Sequence, residues 1–370
     1  MMDIAVIIPM YNGAKWIQAT IESIFAQSHL PSEIIIVDNN STDSSTEIVK
    51  YFQAIKLINN PIQGPNFSRQ CGFQASTTSL IAYLDQDDIW HPDHLKYLYH
   101  LLKEYPDYPA AVASSFSFTA SRHLHFPPTH LQEIDCNPWS AFPVNQIATP
   151  SSLLIRRSAL ESLGGWPTQF DFCGDVYTWL RLSIHHSFIQ NKGITVGYRR
   201  QNSSQSAVLL ARNTQKCFDS LFAVLEDALN CYSVISRKDY FKFKNRLTAL
   251  SSMSGILSNV INFECSKLTE SIIFFEEHLS EEDKEFVGSM CGLLIWFLYS
   301  HLANEPFLLS RLLKCWPPEA SRTHQVFRQR IASSRILPKR ILSEPFNRQL
   351  WLLLLQFSDK IIKKIPLYRQ

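Results

Sequence analysis

The chain has 370 residues, 45% hydrophobic and 18% charged, with 35 Lys and Arg against 33 Asp and Glu. This composition excludes a disordered chain, and the length suits two domains better than one. Eight cysteines are scattered from Cys71 to Cys315 without a Cys-x-x-Cys pair, which argues against a disulfide framework or a structural zinc site and for a reducing compartment.

In chain order, the first third alternates strand and helix patterns. Ile4 to Pro9 reads as a buried strand, and no basic segment or small-residue cleavage site precedes it, so no signal peptide is expected. Ala14 to Gln27 carries Trp16, Ile17, Ile21, Ile24 and Phe25 at the spacing of one helix face. Glu33 to Val37 is a second strand, and Ser41-Thr42-Asp43 offers an N-cap to a helix ending near Phe52. Lys56 to Ile58 gives a third strand, Asn66 to Ala75 a third helix and Ile81 to Leu84 a fourth strand. The helical pattern of Leu95 to Leu102 and a strand over Ala110 to Phe118 follow. Such β-α-β repetition predicts an α/β fold with a mostly parallel sheet flanked by helices.

Residues 121 to 150, rich in Pro, His and Asn, read as an irregular excursion over a site. Beyond Ser206 the strand signals fade. Amphipathic segments replace them over Asn213 to Cys231, Tyr240 to Phe263, Ser266 to Phe275, Glu281 to Ala303 and Leu350 to Lys364. The expected organisation is an α/β domain over residues 1–210 and a smaller helical domain over residues 211–370.

The fourth strand runs into Asp85-Gln86-Asp87-Asp88, three carboxylates within four positions. Crowded acids at the carboxyl edge of a parallel sheet suit Mg²⁺ or Mn²⁺, which bind hard oxygens and take further ligands from phosphates. The competing reading is a solvated loop whose acids cap the next helix. Pro9 and Tyr11 leave the first strand, and Asp38 and Asn39 the second, at neighbouring carboxyl ends where a flat base and its ribose fit. Asp38 and Asn39 can equally form a turn that caps a helix.

Five segments occur in a fixed order: Pro9-Met10-Tyr11-Asn12; Val37-Asp38-Asn39-Asn40-Ser41-Thr42-Asp43; Ser68-Arg69-Gln70-Cys71-Gly72; Asp85-Gln86-Asp87-Asp88; and Gly164-Gly165-Trp166 with Gly174-Asp175. Together they resemble the inverting, GT-A-fold glycosyltransferases of family 2 over roughly residues 3–206. The resemblance implies a metal-dependent transfer of sugar from a nucleotide-diphosphate donor, UDP-sugar favoured, to a glycan or lipid-linked acceptor. Asp87 would ligate the metal with help from Asp85, and Asp88 would be structural. Pro9, Tyr11, Asp38, Asn39, Arg69 and Asp85 would receive the donor nucleotide, and Asp175 would act as the catalytic base. Gly165 and Trp166 would build the acceptor side, with the indole face open to a sugar ring. Tyr198 to Ser206 resembles a flexible loop over the diphosphate, with Arg199 and Arg200 as phosphate contacts. Asn39, Gly174 and Gln201 stand where relatives often carry Asp, Glu and His, which leaves open a catalytically silent nucleotide-sugar-binding or scaffold protein.

Arg311 to Gln370 holds thirteen Lys or Arg against three acids, a balance of +10, so residues 1–310 carry −8 of the net +2. A basic helix with an apolar face suits a membrane interface or a packing role against the first domain. The apolar runs Leu293 to Tyr299 and Leu350 to Leu355 are too short to span a bilayer. A cytoplasmic protein, or one held at the inner face of the cytoplasmic membrane, is expected, without nucleic acid as partner.

Overall fold

The computed structural model describes residues 2–118, 126, 132–141, 147, 149–170 and 173–199, with parts of 219–247. The chain divides into two compact units, Met1–Ser204 and Gln205–Gln370. In the second unit the described residues are helical within 219–227 and 239–247. The segments expected as helices from Ser266 onward, and the basic tail, lie outside the described residues. Among the described residues no helix is long and apolar enough to cross a membrane.

The first unit begins with β1 (Ile4–Met10), α1 (Ile17–Phe25), β2 (Glu33–Asp38), α2 (Ser45–Lys50), β3 (Lys56–Asn59) and α3 (Pro65–Ala75). It continues with β4 (Leu80–Tyr83), β5 (Ile89–Trp90), α4 (His94–Glu104), β6 (Ala110–Phe118), β7 (Glu133–Cys136) and α5 (Pro138–Ala141). A 3₁₀ turn at Pro150–Ser152 leads into β8 (Leu153–Arg156), α6 (Arg157–Ser162), α7 (Gly174–Leu182) and β9 (Phe188–Arg199). The sheet runs β3-β2-β1-β4-β8-β6-β9-β5, with β7 paired to β9.

β1 to β4 are parallel, whereas β8 is antiparallel to both β4 and β6, and β9 pairs parallel with β6 but antiparallel with β5 and β7. A mostly parallel sheet therefore describes the first half, and the whole sheet is mixed. The causes are β8, which enters between β4 and β6 in the reverse direction, and β5 and β7, which run antiparallel to β9.

β1 is buried along its full length, as a parallel strand covered on both faces must be. Alternation divides its side chains between two cores. Ile4, Val6, Ile8 and Met10 join Ile17, Ile21, Ile24, Leu95 and Leu98, from α1 and α4. Ala5 and Ile7 join Phe73 of α3, Leu160 of α6, and Trp166 and Trp179 on the opposite face. α3 lies close enough to the sheet that a Cβ on Gly72 would sit 2.3 Å from Cγ2 of Ile7. The carboxyl ends of β1, β2 and β4 are thereby held side by side, and the loops leaving them form one edge.

Candidate active site

At that edge, three loops are tied by side-chain bonds to backbone. After β1, Asn12 adopts a left-handed conformation, φ 48°. Its N–H donates to Ser41 Oγ at 2.9 Å, and its Oδ1 accepts from Thr42 N at 2.8 Å. Asp43 accepts from the N–H of Ala14 at 2.9 Å and of Ser45 at 3.0 Å. Burial works against the Asp43 carboxylate, but the donors of Ser45 and Ala14 prevail and lower its pKa.

The carboxylate of Asp38 accepts from Ser41 N at 3.2 Å, making the turn that competed with a nucleotide role. Asn39 donates through Nδ2 to the carbonyls of Asn60 and Ile62 at 2.9 and 2.6 Å, and its Oδ1 accepts from Gly64 N at 2.7 Å. Both amide hydrogens of Asn39 are thus used in fixing the loop between β3 and α3. Tyr11 is 45% exposed at the same edge.

The acids after β4 divide sharply in environment. Asp85 is ion-paired with Arg69, Nη2 to Oδ1 at 2.6 Å, and its N–H donates to Ser151 Oγ at 3.0 Å. Asp88 is fully buried. It accepts from Ser151 Oγ at 2.6 Å, Thr149 Oγ1 at 3.0 Å and Arg199 N at 3.0 Å. Burial, then the charges of Asp87 and Asp85, push the Asp88 carboxyl well above the ordinary range. Its place is structural: it latches the acidic loop to the 3₁₀ turn and to the end of β9. Asp87 is half-buried, and its carbonyl accepts from Arg199 Nε at 2.8 Å.

Asp175 lies in the first turn of α7, which starts at Gly174 after Cys173 in a left-handed conformation, and so is not itself the N-cap residue. The residue is half-buried. Desolvation of its carboxyl is nevertheless the largest influence and raises its pKa, against the Val176 backbone donor and the Arg69 charge. The Asp85 charge also raises it. Asp85, Arg69 and Asp175, from three separate elements, therefore share one electrostatic neighbourhood.

Residues 5–164 match the model of glycosyl transferase family 2. Over this segment the chain is similar to that family. An uncharacterized glycosyltransferase of Nostoc sp. is 40% identical over 100 residues, 26% of this chain and 31% of the relative. The UDP-Glc:alpha-D-GlcNAc-diphosphoundecaprenol beta-1,3-glucosyltransferase WfaP of Escherichia coli is 36% identical over 24% of this chain and 36% of its own length. The chain thus spans about a third of the length of these two relatives. Among solved structures, S. aureus TarS 1-349 in complex with UDP-GlcNAc aligns with TM-score 0.58 at 16% identity, covering 89% of this chain and 92% of that one. A mannosyltransferase from Pyrobaculum calidifontis in complex with GDP-Man and Mn²⁺ aligns with TM-score 0.50 at 16% identity, covering 84% and 88%. The fold is accordingly of the GT-A type.

Two expected roles in this domain meet a different environment. Trp166 is 2% exposed, so no indole face is open to a sugar. Its Nε1 donates to Asn66 Oδ1 at 2.9 Å, and the ring packs edge-on against Tyr83 and Trp179. The sharp backbone that delivers it needs glycine: Gly165 has φ 97°, and a Cβ there would meet Gln70 Oε1 at 2.4 Å. Arg199 is 3% exposed and ends β9, where its guanidinium lies over Trp16 and Phe118. Its main chain and Nε hold the acidic loop, which corrects its expected place in a flexible loop. Arg200 and Gln201 lie outside the described residues.

Several residues of the site have no sequence signal of their own. Asn66 also donates to the Phe170 carbonyl at 2.6 Å, joining α3 to the segment before α7. A Cβ on Gly174 would sit 2.6 Å from Asn66 Nδ2, so packing accounts for the glycine there. Thr149, Ser151, Gln70 and Gln86 supply the remaining bonds between loops.

Among the described residues no group of three or more His, Cys, Asp or Glu forms a closed metal cage. The donor set still fits a hard cation. Asp85 and Asp87 offer carboxylates at an open edge, and Mg²⁺ or Mn²⁺ characteristically takes one or two protein carboxylates beside substrate phosphates. Asp85 accepts from Arg69 at Oδ1 and from Thr149 Oγ1 at Oδ2, 3.3 Å away.

Proposed function

We propose that the chain is a metal-dependent inverting glycosyltransferase, moving a sugar from a nucleotide-diphosphate donor to an acceptor hydroxyl in surface-glycan or glycolipid assembly. The observation that carries this reading is the convergence of Asp85, Arg69 and Asp175 at the carboxyl edge of the parallel strands. The printed donor and acceptor of WfaP and the UDP-GlcNAc of TarS support a UDP-sugar and a lipid-linked or glycan acceptor.

In this reading, Asp87 with Asp85 holds Mg²⁺ or Mn²⁺. When bound, the ion neutralises the diphosphate as it leaves. Tyr11 faces the base, and Arg69, oriented by Asp85, adds positive charge beside the donor. Asp175 takes the proton from the acceptor hydroxyl. Its desolvated carboxyl, with proton affinity raised above that of ordinary aspartate, is a stronger base than a solvated one. One such carboxylate suffices for an inverting displacement. Gly165 shapes the acceptor side, and the basic tail contacts anionic lipid.

Thermal melting of the full chain with UDP-, GDP- and dTDP-sugars tests this reading. We expect stabilisation by one class in the presence of Mn²⁺, lost with EDTA and lost in Asp87→Ala. An equal shift in Asp87→Ala would remove the metal assignment.

A further inference from the structure

Gln86 stands between the two acids that the functional reading assigns to the metal, and its side chain turns away from them to the loop after β1. Oε1 accepts from the N–H of Tyr11 at 2.8 Å, and Nε2 donates to the C=O of the same residue at 3.0 Å. A primary amide matched to both polar groups of one residue is fixed in orientation, because the flipped amide would set N–H against N–H and oxygen against oxygen.

The surroundings complete the clasp. A Cβ on Gly13 would lie 2.5 Å from Gln86 Oε1, so the loop leaves room for the amide only with glycine there. The Gln86 carbonyl accepts from Thr20 Oγ1 of α1 at 2.9 Å, as does the Asp88 carbonyl. The residue offering its ring to a nucleoside and the residues offering carboxylates to a metal are therefore parts of one hydrogen-bonded unit.

We propose that Gln86 is a positioning residue that couples nucleoside binding at Tyr11 to metal-diphosphate binding at Asp85 and Asp87. This inference rests on the functional reading above. Ordering the acidic loop around a metal-bound diphosphate sets the Tyr11 backbone, and ordering Tyr11 against a base sets the acidic loop. By linkage, each ligand then tightens the other without touching it.

The test uses the full chain and calorimetric titration of a nucleoside without phosphates. The nucleoside is uridine, or the one matching whichever of UDP, GDP and dTDP binds with Mn²⁺. In the wild type, Mn²⁺ with pyrophosphate should tighten the nucleoside by about fivefold or more, the lower end of ordinary coupling between sites. In Gln86→Met, which keeps the volume and removes both bonds, that ratio should fall to about one, while the diphosphate still binds with Mn²⁺. Gly13→Ala, which displaces the amide from the opposite loop, should act in the same direction, and in both variants the Tyr11 amide should exchange with deuterium faster without any ligand. An unchanged ratio in both variants, or no tightening in a wild type that binds the diphosphate, overturns the coupling. A wild type that binds none of the three diphosphates overturns the functional reading, and the coupling with it.

Discussion

The two acid-bearing regions of the site differ in how their carboxyls are stabilised. In the loops after β1 and β2, Asp38 and Asp43 accept from backbone N–H groups, and Asp43 is held below the ordinary carboxylate range. Around β4 and α7, burial is the largest influence on Asp88 and Asp175, the charge of Asp85 adds to it, and both are pushed upward. Acids held down by donors act as fasteners, whereas raised proton affinity belongs both to Asp88, a buried latch, and to Asp175, the proposed base. In the proposed reading, construction falls to the nucleoside side and proton transfer to Asp175.

The largest expected effect on stability is at the junction between them. Asn66→Ala leaves the buried Trp166 indole N–H without its acceptor and frees the Phe170 carbonyl, which should cost about 2 kcal/mol in urea denaturation. Loss of Asp175-dependent transfer should accompany it, because α7 packs against Asn66 through Gly174. If stability falls and transfer is unaffected, the junction holds the fold but not the base.

A smaller effect belongs to the fasteners. Asp43→Ala removes the acceptor for Ala14 and for Ser45, the first residue of α2, and should cost about 1 kcal/mol, as lost hydrogen bonds do. Because the folded-state pKa of Asp43 is lowered, its contribution is present above the ordinary value of 3.8 and lost as pH falls through the folded value. The gap between wild type and Asp43→Asn should therefore be full at neutral pH and close on acidification. A gap that widens at low pH would place Asp43 with the acids of the other region.

Much of this division could be read from the chain before any coordinates, but unevenly. The four parallel strands announce themselves because each is a short apolar run followed by turn residues and a periodic helix. β8 is only four residues, Leu-Leu-Ile-Arg, and β9 is interrupted by Asn191, Lys192 and Gly193, with register shifts against β6 at Ala113 to Ser115. Neither has a pattern that separates it from loop, so the mixed half of the sheet was not legible. Trp166 shows the limit for side chains: a glycine pair before an indole fits an exposed platform and a buried plug equally well. Asn66 and Gln86 act through partners 100 and 75 residues away, and single polar residues carry no periodicity that reveals such pairs.

The most direct measurement is single-turnover transfer by Asp175→Asn beside the wild type, with donor binding and pH dependence recorded for both. Asparagine preserves the shape and removes the base. Transfer should fall by about 100-fold or more, the usual contribution of a general base, with donor affinity nearly unchanged. In the wild type, kcat/KM should rise with pH through an acid limb above the ordinary aspartate value of 3.8, since the working form is the carboxylate and its pKa is raised. That limb should vanish in the variant. Equal transfer by the two proteins, or the same acid limb in both, would contradict the assignment of Asp175 as the base.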